Sequence, residues 1–261
     1  MTYNTLLTEL DSHVLTLTLN RPQAGNALNT EMLTELNVLL GALYIDPGDV
    51  RCIILTGAGE KIFCGGGDLK ERKGMTDEAW RRQHALAEQI VRHLIECPVP
   101  IIAAVNGAAF GGGCELVSAV DFAYGVDTAR FALTETSLGI IPGAGGTQTL
   151  PRAVGVRRAK EIILTAAAFT AQEAYDWGLL NRVCTQATLM AETRATALRI
   201  AGNAPVAIRQ AKKSINMATQ SDLASGYRFE LEAYYRTVPT TDRIEGVLAY
   251  NEKRKPVFKG E

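Results

Sequence analysis

Residues 100–119 read PIIAAVNGAAFGGGCELVSA. The first eight form a short, β-rich run that ends on a turn signal, as a buried parallel strand does. Three glycines, 111–113, come next, and then Glu115 opens a run of small and apolar residues. A glutamate is among the residues least often fully buried, and an unpaired charge in the interior is costly. Either Glu115 caps its helix at the surface, or the protein holds an acid in a dry place for a reaction.

Working outward, the same arrangement occurs twice more. RCIILTG (51–57) is another short β-rich run, and FCGGGDLKE (63–71) leads on from it through glycines. FAL (131–133) leads into ETSLGIIPGAGGTQTL (135–150), which opens on a second acid, Glu135. Each junction reads as a strand end passing through glycines into a helix. Such a junction leaves backbone N–H groups unpaired, and the helix dipole adds partial positive charge. Two N–H groups converging on one point make an oxyanion hole. Close strand–helix packing would explain the glycines of one junction; three junctions, two with a glutamate, point to a site.

The flanking segments set the fold class. HVLTLTLN (13–20) alternates as a half-buried strand does. TEMLTELNVLLGALY (30–44) has helical spacing after Asn29, a natural cap. TDEAWRRQHALAEQIVRHLIE (76–96) has the period of an amphipathic helix, with His84 and His93 placed on its surface. Strand and helix alternate to about residue 185, and helices follow over 187–201, 205–219, 221–236 and 241–252. The pattern predicts an α/β core over residues 1–195 and a helical C-terminal region over 196–261.

Composition excludes several classes of function. The 261 residues are 47% hydrophobic and 21% charged, with a formal charge of −1, which suits a soluble globular protein. No basic excess is present to bind nucleic acid. The apolar stretch from Pro100 is broken by Asn106 and is too short to span a bilayer. The first twenty residues carry Glu9 and Asp11 but no Arg or Lys, which fits neither a signal nor a transit peptide. Cys52, Cys64, Cys97, Cys114 and Cys184 are odd in number and lack CxxC spacing, so reduced thiols in the cytoplasm are expected, with Cys114 a small buried hydrophobe. GxSxG, GxxxxGK[ST], HExxH and GxGxxG are absent, and His13, His84 and His93 have no metal-ligand spacing.

FCGGGDLKER (63–72), AAVNGAAFGGGCELVSAVD (103–121) and FALTETSLGIIPGAGGTQTLPRAVG (131–155) resemble the motifs of the crotonase (enoyl-CoA hydratase/isomerase) superfamily. The resemblance runs from LTLNRPQAGNAL (17–28) to EGVLAYNEKRKPVFKGE (245–261). It implies a spiral of ββα units with a helical C-terminal trimerisation region, assembled as a homotrimer or homohexamer. It also implies an acyl-CoA substrate with no metal and no separate cofactor. By resemblance, the backbone N–H groups of Gly67 and Gly112 form the oxyanion hole. Gly65, Asp68, Leu69 and Lys70 belong to the coenzyme A turn, while Tyr250 and Lys253 reach coenzyme A in a neighbouring subunit. Family members often read AGAD where this chain reads GGGD (65–68); a backbone donor does not depend on that side chain.

Hydratases carry a glutamate in each of the second and third junctions, and this chain has both, Glu115 and Glu135. Adding water to a C=C bond needs a group to take a proton from water and a source of a proton for the α-carbon. Two carboxyls around one water can do both when burial and mutual repulsion separate their pKa values. The Gly143 N–H is placed to fix that water. The expected activity is reversible hydration of a 2-enoyl-CoA, with DLKERKGM (68–75) most like methylglutaconyl-CoA and short-chain hydratases. A Δ3,Δ2-enoyl-CoA isomerase, which generally relies on one carboxylate, is the alternative. A related animal protein also binds AU-rich RNA through a lysine-rich helix. The matching stretch here, residues 30–51, has no lysine but has Glu31, Glu35, Asp46 and Asp49, which disfavours that function. Trp80, Trp177 and residues 133–141 either shape the acyl pocket or, for the tryptophans, pack the core.

Overall fold

A computed structural model describes residues 3–261. The chain opens with an antiparallel hairpin, β1 (Leu6–Asp11) and β2 (Val14–Leu19). The alternation of the sequence marks only the second arm, because in β1 Leu6 alone is buried. Helix α1 (Thr30–Ile45) follows, with the Asn29 side chain accepting the Met32 N–H at 3.0 Å as a helix cap should. Next come β3 (Cys52–Gly57), β4 (Ile62–Cys64), α2 (Leu69–Arg72) and α3 (Asp77–Glu96). They are followed by β5 (Ile101–Val105), β6 (Ala108–Phe110) and α4 (Gly112–Ala119). Then come β7 (Phe122–Val126), β8 (Arg130–Ala132), a 3₁₀ turn over Glu135–Leu138, α5 (Gly146–Val154) and α6 (Val156–Thr165). The core closes with β9 (Phe169–Thr170), α7 (Ala171–Asp176) and β10 (Arg182–Cys184). Helices α8 (Leu189–Ala201), α9 (Pro205–Ala218), α10 (Leu223–Tyr235) and α11 (Thr241–Asn251) end the chain.

The strands build two sheets, one in the order β1-β2-β3-β5-β7-β10 and a smaller one in the order β4-β6-β8-β9. Three times a strand of the large sheet passes into a strand of the small one and then into helix: β3–β4, β5–β6 and β7–β8. That repeat is the ββα unit the resemblance implied. Two buried asparagines sustain the crossings where ladder bonds stop. Asn106 donates to the carbonyls of Gly57 and Gly59, and Asn26 to those of Ala58 and Ile62. Gly57 must lack a side chain there, since a Cβ would lie 2.4 Å from the Phe63 carbonyl oxygen.

Because β4, β6 and β8 run parallel, their carboxyl ends share one edge, with Cys64 opposite Ala109 and Phe110 opposite Ala132. The three glycine-rich junctions therefore meet side by side. Underneath, Met32, Leu33, Leu36 and Leu40 of α1 face Ala87, Ile90, Val91 and Leu94 of α3, all buried. Each large apolar side chain so buried contributes about 1.5–3 kcal/mol. Outside the core, α9 is tied down by Lys212, whose ammonium pairs with Asp121 at 2.8 Å and donates to the Val99 carbonyl. Helices α9–α11 leave Ile215, Tyr234, Tyr235, Ile244, Val247 and Tyr250 exposed. No helix among the described residues is long and apolar enough to cross a membrane.

Candidate active site

Gly67 and Gly112 come together through the packing of two junctions. Gly66 has φ +87°, and a Cβ on it would lie 2.7 Å from the Phe110 carbonyl and 3.1 Å from the Gly112 nitrogen. That approach sets Gly67, which bridges to Leu28, against the first turn of α4. Neither the Gly67 nor the Gly112 N–H donates to an acceptor in the described chain. Gly112 opens α4, so its idle N–H carries the positive end of the helix dipole.

Glu115 lies one turn into α4 and is 3% exposed. Its Oε1 accepts two hydrogen bonds, from the N–H groups of Ala144 and Gly146, each at 2.8 Å. Burial pushes its carboxyl up to about 7. The neighbouring Glu135 charge adds to the rise, while the two N–H donors and Arg72 oppose it. Desolvation outweighs two good donors, so this acid titrates near neutrality.

Glu135 begins the 3₁₀ turn after β8 and is 8% exposed. Its Oε1 lies against Gly111, while its Oε2 is buried with no hydrogen-bond partner. Burial raises this carboxyl as well, against its own backbone N–H and the Arg72 charge. Both glutamates line one cavity of about 740 Å³, together with Gly67, Gly112 and Gly143. The sequence expectation of a dry acid pair beside the two glycines therefore describes one place in the molecule.

Trp80, Ile140 and Ile141 also line the cavity, whereas Trp177 packs on Phe169 at 5.2 Å and under Arg158. Of the two tryptophans, only Trp80 meets the site. Gly65, Leu69 and Lys70 flank it as exposed residues of the turn after β4. Asp68 is buried there, pairing with Arg21 at 2.9 Å and capping α2 through the N–H groups of Lys70 and Glu71. Tyr250, 84% exposed, and Lys253 lie at the end of α11 and are not among the residues lining the cavity.

Four features escaped the sequence reading. The donors that hold Glu115 come from Ala144 and from Gly146 at the start of α5, in a segment noted only for Gly143. His84, expected on an open helix surface, lines the cavity, and its Nε2 lies 3.0 Å from the Gly143 carbonyl. His93, expected there too, is half-buried against Tyr44 and Gly41, its Nδ1 buried without a partner. The spacing Trp80, His84, Ala87, Val91 puts His84 on the inner face of α3, a signal the sequence did hold. Finally, Arg72 of α2 turns into the cavity, with its guanidinium over the Trp80 ring at 4.5 Å.

A two-sheet ββα spiral with its glycine junctions gathered over one cavity is the crotonase fold. The crystal structure of enoyl-CoA hydratase from Bacillus anthracis matches it at a TM-score of 0.97 and 43% identity, covering 99% of this chain and 100% of that one. The profile of the enoyl-CoA hydratase/isomerase family matches residues 9–261, and the chain belongs to that family. Among curated relatives, the short-chain-enoyl-CoA hydratase of Clostridium acetobutylicum is 41% identical over 98% of this chain and 97% of its own. The mitochondrial methylglutaconyl-CoA hydratase of Mus musculus is 40% identical over 98% of this chain and 82% of its own.

Proposed function

We propose that the protein is a 2-enoyl-CoA hydratase, a hydro-lyase that reversibly converts a 2-enoyl-CoA thioester to the 3-hydroxyacyl-CoA. The observation that carries this reading is the pair of buried glutamates, Glu115 and Glu135, facing one cavity beside two idle N–H groups. The thioester oxygen sits between the Gly67 and Gly112 N–H groups, which stabilise it as it gains enolate charge. Water adds its oxygen to C3 while the two carboxyls remove a proton from it and deliver one to C2. The active form is then the pair with one proton between them, a macroscopic state of both acids. The Gly143 N–H fixes the attacking water. No metal or redox group is needed for the balance, since a single water supplies every atom added.

Coenzyme A lies along the turn of Gly65, Asp68, Leu69 and Lys70, with Tyr250 and Lys253 contributed by a neighbouring subunit. The exposed apolar residues of α9–α11 support a trimer or hexamer. The short-chain and methylglutaconyl-CoA hydratases among its relatives support substrates of those kinds, and with them a role in fatty-acid or branched-chain amino-acid breakdown. The test is hydration of crotonyl-CoA and isomerisation of 3-hexenoyl-CoA by the purified protein. Hydration should dominate; isomerisation alone, insensitive to one of the two glutamates, would end this reading in favour of an isomerase.

A further inference from the structure

Arg72 is a cation in the catalytic cavity that no carboxylate contacts directly, although the charges of Glu71, Glu115 and Glu135 lie within its electrostatic reach. Its Nε donates to Gln83 Oε1 at 2.8 Å, and Gln83 is itself fixed by donating to Thr30 and Glu71. The Trp80 ring supports the guanidinium from one face. Among the described residues no carboxylate forms a salt bridge with it, and neither terminal nitrogen has a hydrogen-bond partner. The contrast within the same cavity is Arg92, which pairs with Glu88 at 2.6 Å. Room for the guanidinium comes from Gly67: a Cβ there would lie 2.9 Å from both Cζ and Nη1.

The charge of Arg72 offsets part of the rise of Glu115 and Glu135, but that action at a distance leaves its two amino groups idle, and a plain alkyl chain offers them no acceptor. A guanidinium is costly to desolvate, and its planar fork matches a carboxylate in bidentate geometry. The surrounding wall of Leu28, Leu33, Ile140 and Ile141 is apolar, which strengthens a charge pair by excluding water. We propose that Arg72 binds a carboxylate carried by the acyl group, so that the preferred substrates are 2-enoyl-CoA thioesters of short dicarboxylic acids. Because the guanidinium lies beside Gly67, that carboxylate stands only a few carbons beyond the double bond. The proposal rests on the hydratase reading above and makes Arg72 the residue that sets substrate class at that site.

The test compares glutaconyl-CoA, a 2-enoyl-CoA ending in a carboxylate, with 2-hexenoyl-CoA, of similar length and ending in a methyl group. The readout is the ratio of their kcat/KM values for wild type, Arg72→Met and Arg72→Lys. Arg72→Met should lower the glutaconyl-to-hexenoyl ratio roughly 10- to 100-fold, mainly through KM for the charged substrate. Arg72→Lys should retain part of the preference, since it keeps the charge but loses the fork. If Arg72 serves only to tune the charges of Glu115 and Glu135, both substrates fall together. A ratio within about threefold of wild type in Arg72→Met, whatever the absolute rates, overturns the proposal. So does a wild type that hydrates hexenoyl-CoA but not glutaconyl-CoA. A wild type that hydrates neither removes the hydratase reading itself, and this proposal with it.

Discussion

The junction after β6 and the junction after β8 each deliver a glutamate to the cavity, yet they hold it differently. Glu115 stands on a regular helix and has Oε1 clamped by two N–H donors, Ala144 in the loop before α5 and Gly146 at the first residue of that helix. Glu135 stands on a 3₁₀ turn and keeps a buried Oε2 that no group of the described chain satisfies. Both carboxyls are nevertheless raised, and burial is the largest cause for each. Orientation and acidity are thus set by separate means: hydrogen bonds fix where an acid points, while the dry cavity fixes when it ionises. An unsatisfied buried oxygen is costly in a resting protein and becomes useful once water or substrate supplies the missing partner.

The most severe way to break this comparison is to neutralise each acid in turn. Glu115→Gln and Glu135→Gln should each lower crotonyl-CoA hydration by roughly 10²–10⁴-fold, the loss expected for a positioned acid or base. As the two act on one water, the double variant should lose far less than the product of the single losses. Each single variant should still bind an acyl-CoA, since the amide keeps the shape and Gly67 and Gly112 are untouched. Steady-state rates for the three proteins decide the matter. An intact rate in Glu115→Gln would show that the clamped acid has no part in the chemistry.

A smaller disturbance separates orientation from acidity. Gly146 opens α5, and a Cβ on it would lie 2.9 Å from Glu115 Oε1 and 3.0 Å from Pro142 Cβ. Gly146→Ala should leave both carboxyls present but push Glu115 off its donors. A displacement near 1 Å is expected to cost on the order of 10²-fold in kcat. Wild-type kcat in a folded Gly146→Ala protein would mean that the clamp does not matter.

What could be read from sequence follows the range of the interactions involved. The glycine junctions and both glutamates were legible because residue type and local order define them: a strand, then glycines, then an acid in an apolar run. Helices α1 and α3 were legible by period, and α3 even encoded the inward face of His84. Arg72 was not, because α2 has four residues and too few turns to show a face. Its direction depends on Trp80 and Gln83 of α3 and on the space beside Gly67, all outside α2. The Glu115 clamp was hidden for a similar reason, since Ala144 and Gly146 lie 29 and 31 residues further along the chain. An alanine at 67 looked neutral as a backbone donor, yet in this fold its methyl would press on Arg72.

The smallest effect is on stability and runs in the opposite direction to activity. Glu115 has its folded-state pKa raised to about 7, whereas in the unfolded chain it titrates near the ordinary value of 4.5. Below that value both states hold the proton, and the acid imposes no pH-dependent cost. As pH rises from about 4.5 to about 7 the unfolded chain ionises while the native state keeps its proton, so stability falls across that window and levels off above it. At 3% exposure the group receives little solvent screening. The full cost approaches about 3 kcal/mol at 1.36 kcal/mol per pKa unit. Glu115→Gln abolishes the titration while its amide oxygen still accepts from Ala144 and Gly146. The variant should therefore gain on wild type as pH rises, by about 1–3 kcal/mol at pH 8, part of the gain being offset by an amide NH₂ left in the cavity. Glu135→Gln should move in the same direction, its carboxyl being raised as well. Urea unfolding at fixed protein concentration, from pH 4.5 to pH 8, measures both. A difference between Glu115→Gln and wild type that stays flat over that range would show that the acid is not held protonated by burial, and with it the contrast between clamp and cavity would fall.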